Sequence, residues 1–142
     1  MKHITKIILF SLILLTSCHR DKIDPETFHF KEGTPVVNII RVKDTFATIS
    51  IGASISNESY KDRIVVVRAD ISDDYYVEKT VAVSAKSEKN VELTTDIYEP
   101  KIWTEDNPSS YDIEISLYKE KKKIVSVKDS FSIVQPIIPD SI

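Results

Sequence analysis

The chain has 142 residues, 42% of them hydrophobic and 29% charged, and its 19 Lys and Arg against 22 Asp and Glu give a net charge of −3. That length predicts one domain with a real core and not two. A mildly acidic surface repels phosphate backbones, so nucleic acid is not an expected partner. Gly33 and Gly52 are the only glycines, which excludes phosphate-cradling loops built on close backbone approach.

At the amino terminus, Lys2 and Lys6 precede an apolar stretch from Ile7 to Leu15. It falls short of the roughly 20 apolar residues a spanning helix needs and predicts a signal peptide over residues 1–17. The following Leu15-Thr16-Ser17-Cys18 resembles the lipobox of bacterial lipoproteins, in which the cysteine is acylated and becomes the new terminus. The resemblance implies a chain anchored to the membrane through lipid on Cys18, in the bacterial cell envelope. Residue 19 is His and not Asp, which points to the outer membrane. Losing the two leader lysines and no acid takes the net charge from −3 to −5. Cys18 is the only cysteine, so no disulfide can staple the fold.

Residues 18–33 are polar and charged, with Pro25 and Gly33 as breakers, and predict a tether in which Thr27-Phe28-His29-Phe30 forms at most a short strand. A sandwich is expected over 34–135 and a short tail over 136–142. The first strand in it covers 36–42. The next is the cleanest: Ala47, Ile49, Ile51, Ala53 and Ile55 alternate with Thr48, Ser50, Gly52, Ser54 and Ser56. Further strands are predicted at 63–71, 75–83, 90–97, 111–118 and 124–134. Turn formers separate them at Asn57-Glu58-Ser59, Ser72-Asp73-Asp74, Lys86-Ser87-Glu88 and the charged run Lys119 to Lys123. About seven β-branched strands without a helical period indicate an all-β, antiparallel β-sandwich.

Between the fifth and sixth strands of the sandwich stands Ile102-Trp103-Thr104-Glu105-Asp106-Asn107-Pro108-Ser109-Ser110-Tyr111. It resembles the L-W-S-P-E-N-P-x-L-Y segment in the immunoglobulin-like domain of family 2 glycoside hydrolases, the β-galactosidase, β-glucuronidase and β-mannosidase group. Trp103, Asn107, Pro108 and Tyr111 match outright. Ile55-Ser56-Asn57 resembles the end of the family's early V-x-V-x-N strand. Phe131-Ser132-Ile133-Val134 stands where the family has F-G-I-R, the exit into its catalytic barrel. The resemblance implies an immunoglobulin-like sandwich over about residues 35–134. Only eight residues follow Val134, whereas a (β/α)₈ barrel needs at least about 200. No glycosidase activity is therefore expected of this sequence, and no catalytic residue is assigned.

The candidate ligand-binding residues are Trp103, Tyr75 and Tyr76, because an aromatic face packs against the axial C–H groups of a sugar. The preferred reading, which the family resemblance implies, is that Trp103 and Tyr111 lock a corner between two sheets, with the tyrosine hydroxyl bonded to backbone. Tyr75 and Tyr76 are adjacent and so point to opposite faces of a strand, leaving one of them for any exposed platform. Asp73-Asp74 and Glu105-Asp106 read as solvated turns, not as an acid/base pair. His19 and His29 both fall in the tether, which leaves no histidine in the sandwich for a triad or a metal. No cofactor or metal is expected. The expected function is that of a membrane-anchored, non-catalytic binding module associated with carbohydrate. A module binding an envelope protein, and an accessory fragment complemented by a separately encoded barrel, are the alternatives.

Overall fold

The computed structural model describes residues 27–136; the leader, Cys18 and the last six residues lie outside the described residues. Eight strands occur among them: β1 Phe28–Phe30, β2 Val36–Val42, β3 Phe46–Asn57, β4 Arg63–Ile71, β5 Tyr75–Val83, β6 Ser87–Tyr98, β7 Tyr111–Lys119 and β8 Lys122–Phe131. They form two antiparallel sheets, as expected of an immunoglobulin-like sandwich.

In the first sheet β3 is central. Along one edge it pairs with the whole of β6, from Phe46 against Tyr98 to Asn57 against Ser87. Its other edge is shared end to end by β1, opposite residues 55–57, and β2, opposite residues 47–52. The second sheet runs β5-β4-β7-β8. Alternation sends Ile49, Ile51 and Ile55 of β3 inward to meet Val65, Val67 and Ile71 of β4 and Ile113, Ile115 and Leu117 of β7, all fully buried. Each such side chain contributes about 1.5–3 kcal/mol by leaving water, and no cysteine lies among the described residues to add a covalent staple.

Several boundaries differ from the sequence reading. The sandwich begins before residue 34: β1 hydrogen-bonds to β3, and Phe28 is only 1% exposed, so the expected tether ends at about residue 27. Between β1 and β2 the backbone stays satisfied, since Lys31 N–H donates to Ser54 O at 2.9 Å and Ser54 N–H donates to Thr34 Oγ1 at 3.2 Å. Second, β6 starts at Ser87 and not at 90. The turn is confined to residues 84–86, where Lys86 takes the left-handed conformation at φ 52°. Third, the last strand stops at Phe131, and Ile133 instead forms a parallel bridge to Ile102. The charged run narrows to a two-residue loop, Glu120 and Lys121, both at positive φ (48° and 66°). That is the type I′ geometry whose twist suits a tight hairpin.

The pairing places entry and exit at opposite ends. Residues 27, 58–62, 84–86 and 120–121 gather at one end; residues 43–45, 72–74, 99–110 and 132–136 gather at the other. The 12-residue β3 spans the distance, roughly 40 Å at about 3.3 Å per residue.

Candidate functional site

After Tyr98 the chain leaves the first sheet through Glu99, at φ 48°, whose N–H donates to Thr45 O at 2.8 Å. Segment 100–110 then crosses to the second sheet and is pinned there. Trp103 N–H donates to Ile133 O at 2.8 Å, and Ser132 Oγ donates to Ser109 O at 3.0 Å. Asn107 N–H donates to Thr104 Oγ1 at 3.0 Å, which closes the turn that leads into Pro108. Lys101 N–H donates to the Tyr111 hydroxyl at 2.8 Å, while the Tyr111 ring stacks on Phe131 with centroids 5.4 Å apart. Tyr111 is thus the corner lock that the resemblance implied, buried and bonded to backbone. Trp103 is different: its main chain holds the corner, yet the residue remains 37% exposed.

Tyr75 packs half-buried against the core and donates its hydroxyl to Tyr98 O at 3.0 Å. Tyr76 points the other way and is 59% exposed on the outer face of the second sheet. Both begin β5, on the far edge of that sheet from β8, whose continuation holds Trp103. Three strand spacings separate those edges, roughly 14 Å. The three candidate aromatics therefore do not assemble into one platform. Asp73-Asp74 and Glu105-Asp106 are exposed turns, as expected. Among the described residues no group of three or more His, Cys, Asp or Glu is placed to hold a metal ion.

Tyr76 instead joins residues that the sequence reading passed over. Arg68 on β4 faces Glu78 on β5, and Asp70 faces Tyr76. The Arg68 guanidinium lies 4.1 Å from the centroid of the Tyr76 ring, donates to Asp70 Oδ1 from Nε at 2.9 Å and from Nη2 at 2.8 Å, and sits 3.9 Å from Glu78 Oε2. The Asp70 carboxylate bonded to it holds the guanidinium above its ordinary pKa, with burial opposing. Next to this cluster is a depression of about 280 Å³, lined by Val66, Arg68, Glu78, Tyr118, Glu120 and Lys121. Ser116, the register partner of Arg68 on β7, is 0% exposed, and its Oγ has no hydrogen-bond partner. Beyond it Lys123 donates to Glu114 Oε1 at 2.8 Å, which lowers the Glu114 pKa and raises that of Lys123. A usable signal did exist. The turn at 72–74 fixes the β4–β5 register, and that register puts Arg68 opposite Glu78.

The sequence profile of the glycosyl hydrolases family 2 matches residues 35–133, from just before β2 to the Ile133 bridge. Among solved structures, a β-glucuronidase from glycoside hydrolase family 2 superposes at a TM-score of 0.70 with 20% identity, over 78% of this chain and 13% of that one. A family 2 member from Bacteroides cellulosilyticus DSM 14838 gives 0.71 and 21%, over 78% and 16%. The Bacteroides uniformis β-glucuronidase gives 0.68 and 18%, over 75% and 14%. At these identities the likeness establishes the fold, and the chain spans no more than about a sixth of each enzyme. No curated protein is similar enough to match.

Proposed function

Since the chain belongs to the glycosyl hydrolases family 2, we propose that it is a non-catalytic, glycan-associated module held to the bacterial envelope by lipid on Cys18. The supporting observation is the match itself, which covers the immunoglobulin-like sandwich and a small fraction of each related enzyme. A barrel with its catalytic carboxylates is not among these 142 residues, and what the sandwich offers is surface. The fold suits an anchor, because the chain enters at the end opposite the Trp103 corner.

Retention of the full chain on insoluble and immobilised polysaccharides tests the glycan association. At least one neutral polysaccharide should retain it; passage through all of them would remove the glycan from the account. Fatty-acid labelling tests the anchor, since a Cys18→Ala variant should carry no label. A second reading, docking to an envelope protein, is favoured by β2. This edge strand leaves Val36 and Ile40 more than half exposed, and its regular stretch before the bulge at Ile39/Arg41 has one unpaired side. A strand edge of that kind can accept a partner's strand.

A further inference from the structure

The depression on the outer face of the second sheet has a composition that narrows what can occupy it. Its lining is mostly carbon: Val66 on β4 stands beside its register partner Tyr118 on β7, whose ring has the Lys123 ammonium 6.0 Å from its centroid, and Arg68 and Lys121 add their apolar stems. At one end stands the Arg68–Glu78 pair, and at the other the Glu120–Lys121 hairpin tip. Its lining carries two positive and two negative charges, with Asp70 bonded to Arg68 and Lys123 paired to Glu114 beside it, so it exerts no attraction on a phosphate or a uronate. Polar groups of both kinds border it, guanidinium and ammonium as donors and two carboxylates as acceptors. A neutral sugar presents the matching pattern, with C–H groups on the face of the ring and hydroxyls that donate and accept around its rim.

Preorganisation is visible as well. Arg68 is held by Asp70 and Glu78 with its guanidinium over Tyr76, so little side-chain freedom remains to be lost on binding. The hairpin tip is a two-residue turn, fixed in place by the β7–β8 ladder. At about 280 Å³ the space is just under the range for small-molecule sites, roughly 300–1,000 Å³, and it is open along the sheet. It would therefore hold a short stretch of a chain and let the rest run past.

We propose that this outer face binds a neutral oligosaccharide, with the Tyr118 ring and Val66 under a sugar ring and Arg68 and Glu78 bonded to its hydroxyls. The proposal rests on the glycan-associated reading above and places the glycan away from Trp103.

The test is calorimetric titration of the full acylated chain in lipid nanodiscs with cello-, xylo-, manno- and laminari-hexaose, and with hexagalacturonate as the anionic probe. At least one neutral hexasaccharide should bind. Tyr118→Ala and Arg68→Met should each weaken it about tenfold or more, the usual cost of truncating a central anchor. Glu78→Ala, an exposed edge-strand change that leaves the core untouched, should weaken it too, and Trp103→Ala should bind as the parent does. Circular dichroism confirms that each variant is folded. Unchanged binding in Glu78→Ala and Tyr118→Ala, or loss in Trp103→Ala alone, would overturn the site and leave glycan association standing. Tighter binding of hexagalacturonate would overturn the neutral ligand. If no hexasaccharide binds, the site is wrong; if polysaccharide retention also fails, the reading beneath it is wrong as well.

Discussion

The two outer faces of the sandwich are both polar, and they are closed in different ways. On the first sheet, short hydroxyls of β3 meet carboxylates and an amide of β6: Thr48 Oγ1 donates to Asp96, Ser50 Oγ to Glu92 at 2.8 Å, and Ser54 Oγ to Asn90 at 2.6 Å. Arg41 of β2 closes the row over Thr48. Thr48, Ser50 and Ser56 are nearly as buried as the apolar residues between them, because β3 has neighbours along its whole length. On the second sheet the side chains are long and mutually charged, and they leave a depression between them. The first face satisfies its own hydrogen bonds, while the second has surface available to a ligand. Alternation alone does not distinguish them; side-chain length and central or edge position do.

If the first sheet is a structural layer, changes in it should lower stability and leave hexasaccharide binding alone. The largest effect is expected from Phe28→Ala, which empties a buried site and should cost about 3–5 kcal/mol in denaturant unfolding. A cost below about 1 kcal/mol would return β1 to the tether. Next is Asn57→Ala. This amide, buried at the end of β3, donates to Lys61 O and Val83 O, each at 3.0 Å, and accepts from Ser59 N–H at 3.0 Å. Its loss takes a donor from the buried Val83 O and should cost roughly 1–3 kcal/mol. The match of Asn57 to the family's strand-ending asparagine thus has a physical reason, since it ties loop 58–62 to the β5–β6 turn.

The second face should show the reverse. Lys123→Ala removes the partner of Glu114 and should cost no more than about 1 kcal/mol, as both side chains reach solvent. Because Glu114 has its folded pKa lowered, chiefly by the Lys123 hydrogen bond, its contribution is present above the ordinary carboxylate value and lost as pH falls through the lowered one. Carboxyl titration by NMR should show the Glu114 midpoint rising in Lys123→Ala, with the stability difference between parent and variant vanishing in acid. A midpoint that does not move would show that the pair is not formed in solution.

Much of this architecture was legible because β-branched alternation is strong where a strand is half-buried. β2, β4 and β5 begin and end at the residues their patterns indicate, with Ser72-Asp73-Asp74 stopping β4 cleanly. The short strand β1 was legible, but its place in the sandwich and the start of β6 were not. Ser87 to Asn90 carry no apolar residue and join the sheet through backbone bonds to residues 54–57, which periodicity does not register. Thr27 to Phe30 read as a short strand inside a charged tether; the burial of Phe28 depends on β3, far along the chain. The corner was half legible, because Tyr111 locks it while Trp103 is pinned to it by its backbone and stays partly exposed. The Arg68–Glu78 face was missed because its residues look like ordinary polar alternates until the hairpin register sets them opposite one another.

The contrast between the faces is tested most directly by NMR mapping of the isotopically labelled full chain during titration with the hexasaccharide that binds best. Amide shifts should concentrate at Val66, Arg68, Glu78 and Tyr118 to Lys121, with Thr48, Ser50 and Asp96 silent. Shifts centred on Thr48, Ser50 and Asp96, or on residues 99–110 around Trp103, would contradict it.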